Sequence, residues 1–157
     1  MPRGRQVPQR EIAPDPKYGH VMLAKFINMV MLRGKKTTAQ NIVYGVLEEL
    51  KKKKETDPVK MFEQVIEAVK PQVEVRSRRV GGANYQVPSP VSSRRQIALA
   101  FRWIIAAAKA RKGRDMTDRL TNEMLDILAG TGGAMKKKED VHRMAEANKA
   151  FAHFARR

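Results

Sequence analysis

Four groups of cations carry whatever chemistry this chain can do. Arg76, Arg78 and Arg79 lie on a period-two run ending at Gly81-Gly82, and Tyr85 and Gln86 follow on the return run. Guanidinium groups make forked contacts to phosphate oxygens and stack on bases. An aromatic ring and an amide beside them suit unstacked single-stranded nucleotides. Two glycines keep the tip thin enough to enter a groove or a gap between strands. Tyr85 as ordinary cross-strand packing is the competing account. The remaining groups stand where helices begin: Lys35-Lys36, Arg94-Arg95 and Lys136-Lys137-Lys138. A cation there opposes the helix dipole by a few tenths to about 1 kcal/mol. A bound phosphate reverses that sign, because free backbone N–H groups and cations then converge on one anion. For Lys35-Lys36 the two readings balance, since the pair also follows a helix whose C-terminus welcomes it. For the other two groups phosphate contact is the better account.

Catalytic chemistry finds no support. Gly34-Lys35-Lys36-Thr37 resembles the end of a phosphate-binding P-loop, but Met29 stands at the first glycine and Lys36 where Ser or Thr belongs. The Gly130–Gly133 stretch has no strand before it, and Met135 occupies the third glycine of a dinucleotide fingerprint. His20, His142 and His153 are scattered without metal-ligand spacing, and no acids form a carboxylate pair or triad. There is no cysteine, hence no disulfide, thiolate site or thiol nucleophile. No enzyme activity, cofactor, metal or small-molecule substrate is expected.

The elements that must position the cations are mostly helices. Val21 to Leu32 reads as a helix with Gly34 as its C-cap. Val43, Val46, Leu47 and Leu50 form one stripe of the next, which ends in Lys51–Lys54. Asp57-Pro58 opens a third, with Phe62, Val65, Ile66 and Val69 on one face and Pro71 at its end. The period then changes to two. Val73, Val75, Ser77 and Arg79 alternate with Glu74, Arg76 and Arg78, and Ala83 to Val87 runs back. Two such runs joined at Gly-Gly predict a β-hairpin over 73–88. Ser92 or Ser93 caps a fourth helix with Ile97, Phe101, Ile104, Ile105 and Ala108 inward. Asp115 starts a fifth with Met116, Leu120, Met124, Ile127 and Leu128. Gly130, Gly132 and Gly133 suggest a flexible break. The last helix uses Val141, Met144, Ala145, Asn148, Phe151 and Ala152.

These elements predict a mainly α fold: a six-helix domain with one protruding two-stranded hairpin. Its length of 157 residues suits a single domain. It divides into a basic arm (1–18), three helices (19–71), the hairpin (73–88), and three helices with a tail (92–157). An eight-residue arm reaches on the order of 25 Å. It is expected to project and be ordered by a partner. The alternative, with Val75, Tyr85 and Val87 packed inward on the helices, stays open.

The net charge of +16, from 32 basic against 16 acidic residues, argues for a polyanionic partner. It is uneven: residues 70–114 hold eleven cations against one acid, and residues 1–36 eight against two. Hydrophobic residues make up 42%, enough to close a core. The basic, polar start argues against a secretory signal, and Val21 to Leu32, broken by Lys25 and Asn28, is too short to span a bilayer. A soluble protein of a reducing compartment, off the membrane and bound to nucleic acid, is the expectation. An architectural DNA-binding protein with a basic β-arm is the rival, although its tip would be expected to carry an apolar or proline wedge.

The run Arg76-Ser77-Arg78-Arg79-Val80-Gly81-Gly82-Ala83-Asn84-Tyr85-Gln86-Val87-Pro88 resembles the hairpin of the small-subunit ribosomal protein seven family, bacterial type. Lys25-Phe26-Ile27-Asn28, Gly34-Lys35-Lys36, Ala98 to Trp103 and Lys136 to His153 are similar to the family in the same order, across nearly the whole chain. Lys51–Lys54 and the ending Phe154-Ala155-Arg156-Arg157 depart from it, short bacterial members tending to end in Tyr-Arg-Trp. The resemblance implies a cytoplasmic, ribosomal protein that binds the 3′ major domain of small-subunit rRNA and nucleates assembly of the head. It implies neighbouring head and platform proteins, and a hairpin at the exit site near tRNA and mRNA. By position, Arg3, Arg5, Arg10, Lys17, Lys35, Lys36, Arg94, Arg95, Lys136, Lys137 and Lys138 would face rRNA, and Arg76 joins them through its forked chemistry. Arg78, Arg79, Gly81, Gly82 and Tyr85 would belong to the exit-site ribbon.

Overall fold

The computed structural model of the chain describes residues 11–54 and 57–156. Arg3, Arg5 and Arg10 therefore lie outside the described residues. Six α-helices and one hairpin follow in order: α1 Val21–Val30, α2 Lys36–Lys54, α3 Pro58–Val69, β1 Val73–Val80, β2 Ala83–Pro90, α4 Ser93–Ala110, α5 Met116–Leu128 and α6 Gly133–Ala147. A 3₁₀ segment, Lys149–Arg156, closes the chain. The expected mainly α architecture is thus present.

The apolar stripes meet in one core. Phe26 of α1, Phe62 of α3 and Phe101 of α4 are completely enclosed, with ring centroids 5.3 Å apart for Phe26–Phe62 and 5.1 Å for Phe26–Phe101, both edge-on. Edge-to-face rings add about 0.5–1.5 kcal/mol to what burial contributes. The expected residues of α2 and α3 are all buried, as are Phe101, Ile104, Ile105 and Ala108 of α4. Ile97, Met116 and Leu128 are only partly covered. Thr121 of α5 is buried, and its hydroxyl has no partner among the described residues.

Local chemistry sets the helix ends. Asp57 accepts the N–H of Val59 at 3.0 Å, the expected cap. Ser92 and Asp115 hold cap positions without a side-chain cap bond. α1 stops at Val30 rather than Leu32: Met31 turns to ψ 134°, and Leu32, 64% exposed, has no core contact to hold it in the helix. Gly34 is not the cap but the second of two left-handed residues in the turn, after Arg33. α6 ends at Ala147, so Phe151 and Ala152 belong to the 3₁₀ segment, and Met144 is exposed.

Of the three glycines of the expected break, Gly132 and Gly133 make a close-packed joint at the start of α6, while Gly130 has open space around it. A Cβ on Gly133 would meet the Cβ of Ala107 at 3.0 Å, and one on Gly132 the carboxylate of Glu123 at 3.1 Å.

The hairpin extends to Pro90, two residues further than expected, with Val73 opposite Pro90 and Val80 opposite Ala83. A two-stranded ribbon leaves alternate N–H groups facing outward, so Pro88 and Pro90 cost it no ladder bond there. Gly81 and Gly82 have φ of 57° and 93°, the positive values that a tight two-residue turn demands. Both readings of its placement hold, on different halves. The root lies on the helices, with Val87 and Glu74 buried and β1 and β2 against α6 and the 3₁₀ segment. The tip protrudes: Ser77 to Arg79 and Gly81 to Asn84 are exposed.

Candidate nucleic-acid interface

Lys35 and Lys36 stand exposed where α1 turns into α2, and neither makes an ion pair among the described residues. Arg94 is similarly exposed and unpaired in the first turn of α4. Across from it lies Lys25 of α1, an exposed cation missing from the expected set. Its i and i+3 relation to Asn28, on the face opposite Phe26 and Ile27, was the available signal. Lys136 and Lys137 are exposed near the start of α6.

Four expected rRNA-facing residues already have internal work. Lys17 donates to Glu48 at 2.8 Å and lies over the rings of Tyr18 and Tyr44 at 5.6 and 5.1 Å. That hydrogen bond raises the Lys17 ammonium above its usual range and holds the Glu48 carboxyl below its own. Arg76 and Arg95 both clasp Glu74, the latter at 3.2 Å. Glu74 is the one acid of the basic stretch, and its side chain is 10% exposed. Lys138 donates to the carbonyl of Ala68 at 2.6 Å, tying α6 to α3.

One backbone N–H at the start of α6, beside the lysine triple, already has a partner. That partner is the protein's own anion: the Glu123 carboxylate accepts the N–H of Ala134 at 2.9 Å and the Arg111 guanidinium at 2.6 Å. Arg111 also binds Asp126. Burial opposes the Arg111 charge, but Asp126 and Glu123 outweigh it and raise the guanidinium further. Lys136 and Lys137 stand exposed beside a helix start at which the Ala134 N–H is already engaged.

On the ribbon, pleat alternation divides the expected exit-site residues. Arg78 opposes Tyr85 and Arg76 opposes Val87 on the face toward α6; Arg79 opposes Asn84 on the other, together with Gln86. The Tyr85 ring packs at 5.1 Å against Phe151, in the manner of the competing account. Arg79, Gly81 and Gly82 remain on the protruding tip.

The histidines have structural partners. His20 caps α1 through Leu23 N–H and meets Glu63 at 2.9 Å, while His142 receives the N–H of Gln72. Among the described residues, no group of three His, Cys, Asp or Glu is placed to hold a metal, and no helix is long and apolar enough to cross a membrane.

Comparison with known proteins agrees with this arrangement. Residues 2–149 match the family of ribosomal protein S7p/S5e. The small ribosomal subunit protein uS7 of Polynucleobacter asymbioticus is 58% identical over 154 residues, 98% of this chain and 99% of that protein. Those of Methylibium petroleiphilum and Leptothrix cholodnii are each 56% identical over the same shares. With its six helices, its single ribbon and a match along nearly its full length, this chain belongs to the ribosomal protein S7p/S5e family.

Proposed function

We propose that this chain is a structural, non-catalytic constituent of the small ribosomal subunit in the cytoplasm. It acts as one folded domain that binds the 3′ major domain of small-subunit rRNA directly and nucleates assembly of the head. Its ribbon tip, with Arg79, Gly81 and Gly82, lies at the exit site near tRNA and mRNA, among head and platform proteins. One observation carries this reading: Lys35, Lys36, Arg94, Lys136 and Lys137 are exposed and unpaired among the described residues of a chain of net charge +16. Such cations gain more from phosphate than from water, because binding releases condensed counterions. Folded RNA supplies selectivity through its shape.

The test is equilibrium binding of the full chain to a transcript of the 3′ major domain. With about six phosphates contacted, affinity falls roughly a thousandfold between about 50 and 200 mM salt. A flat salt dependence, or tighter binding to bent duplex DNA at equal salt, overturns the proposal.

A further inference from the structure

Between α1 and the start of α4 runs a groove of about 750 Å³, within the range of small-ligand pockets. Phe101 forms its floor, Ile97 and Met29 its apolar walls, and Asn28, Lys25 and Arg94 its polar rim. Met29 is 37% exposed although apolar. Among the described residues, no acid lines the groove and neither cation is ion-paired.

We propose that this groove receives one unpaired nucleotide of the bound RNA, its base against Met29 and Ile97 and its flanking phosphates on Lys25 and Arg94. The occupant follows from the chemistry of the walls. Two cations without a neighbouring acid favour a polyanion over a mixed-charge peptide. An apolar slot beside them suits a flat, weakly hydrated base, which duplex RNA keeps stacked and a loop or bulge can splay out. Asn28 carries both an amide donor and an acceptor, so it can pair with the edge of a base that enters. The groove thus adds a contact that reads an unstacked base to surfaces that otherwise only neutralise charge. This inference rests on the RNA-binding reading above.

The test compares variants of the full chain on the same 3′ major domain transcript, each measured across a salt series. Asn28→Ala and Met29→Ala should each weaken binding about tenfold, as loss of a base contact does, with the salt slope unchanged. Lys25→Gln and Arg94→Gln should each flatten the slope by about one. A photo-crosslinking residue at position 29 should mark one unpaired nucleotide on primer extension. If the parent chain binds the transcript but Asn28→Ala and Met29→Ala bind as tightly, or the crosslink falls on paired RNA or none, the groove proposal is wrong and the RNA-binding reading survives. If the parent chain does not bind the transcript, the broader reading fails with it. Circular dichroism of each variant separates lost contact from lost fold, and a compensating variant, Met29→Leu, should restore affinity.

Discussion

The carboxylate of Glu123, on α5, receives the backbone N–H of Ala134, on α6, at 2.9 Å while the Arg111 guanidinium neutralises it from α4. One buried acid thereby joins three helices. Glu123→Ala leaves Arg111 without its better-buried partner and α6 without its cap. The expected cost is about 3 kcal/mol, as when half of a largely buried ion pair is removed, read as a lower urea midpoint.

Thr121 carries the opposite kind of buried polar atom. Its hydroxyl has no hydrogen-bond partner among the described residues, so it bears an uncompensated desolvation cost. Thr121→Val keeps the shape and removes the oxygen. Thermal melting should show a gain of about 1 kcal/mol.

Surface cations should separate by their present partners. Lys35→Gln and Lys36→Gln, unpaired among the described residues, should each lower the salt slope of RNA binding by about one with no loss of stability. Arg95→Gln should change the slope less and the fold more. Glu74 would keep only Arg76, at a cost on the order of 1 kcal/mol. Equal slopes for all three variants would contradict this division.

Tyr44 should mark the alkaline limit of the fold. Burial and its 2.7 Å hydrogen bond to Asp15 push its hydroxyl up to about 12, from 10.0. A raised pKa favours the protonated form when folded, so this contribution is complete below pH 10 and fades as the pH climbs through about 12. An ultraviolet titration should show one phenolate forming late, near pH 12. Tyr44→Phe should abolish that late step.

The ribbon can be shortened without being removed. Deleting Arg79, Val80, Ala83 and Asn84 sets the Arg78–Tyr85 pair directly on the Gly81-Gly82 turn and preserves which face each side chain occupies. Melting temperature and affinity for the 3′ major domain transcript should hold, while exit-site function suffers. Deleting the whole ribbon instead removes Val87 and Glu74 from their buried places and should unfold part of the molecule. Equal thermal stability of the two deletions would count against the packed root.

The helices could be anticipated because their information is local. Val43, Val46, Leu47 and Leu50 repeat at helical spacing, Asp57 caps the helix that Pro58 opens, and Gly81-Gly82 divides two alternating runs. What escaped depends on partners brought close only by folding. Nothing near Arg95 or Lys138 in the chain announces Glu74 or the carbonyl of Ala68. Glycines 132 and 133 read as freedom until Ala107 and Glu123 are seen against them. The excess of cations is legible in the composition. Their division into engaged and available residues is a property of the packed molecule.

Glu74 sits at the root of the ribbon with an arginine from its own strand on one side and one from α4 on the other. Tilting the ribbon relative to that helix strands a carboxylate away from water and from at least one counter-ion. The ion pairs of Glu74 thus fasten the root of the ribbon to the first turn of α4, the turn that also bears Arg94.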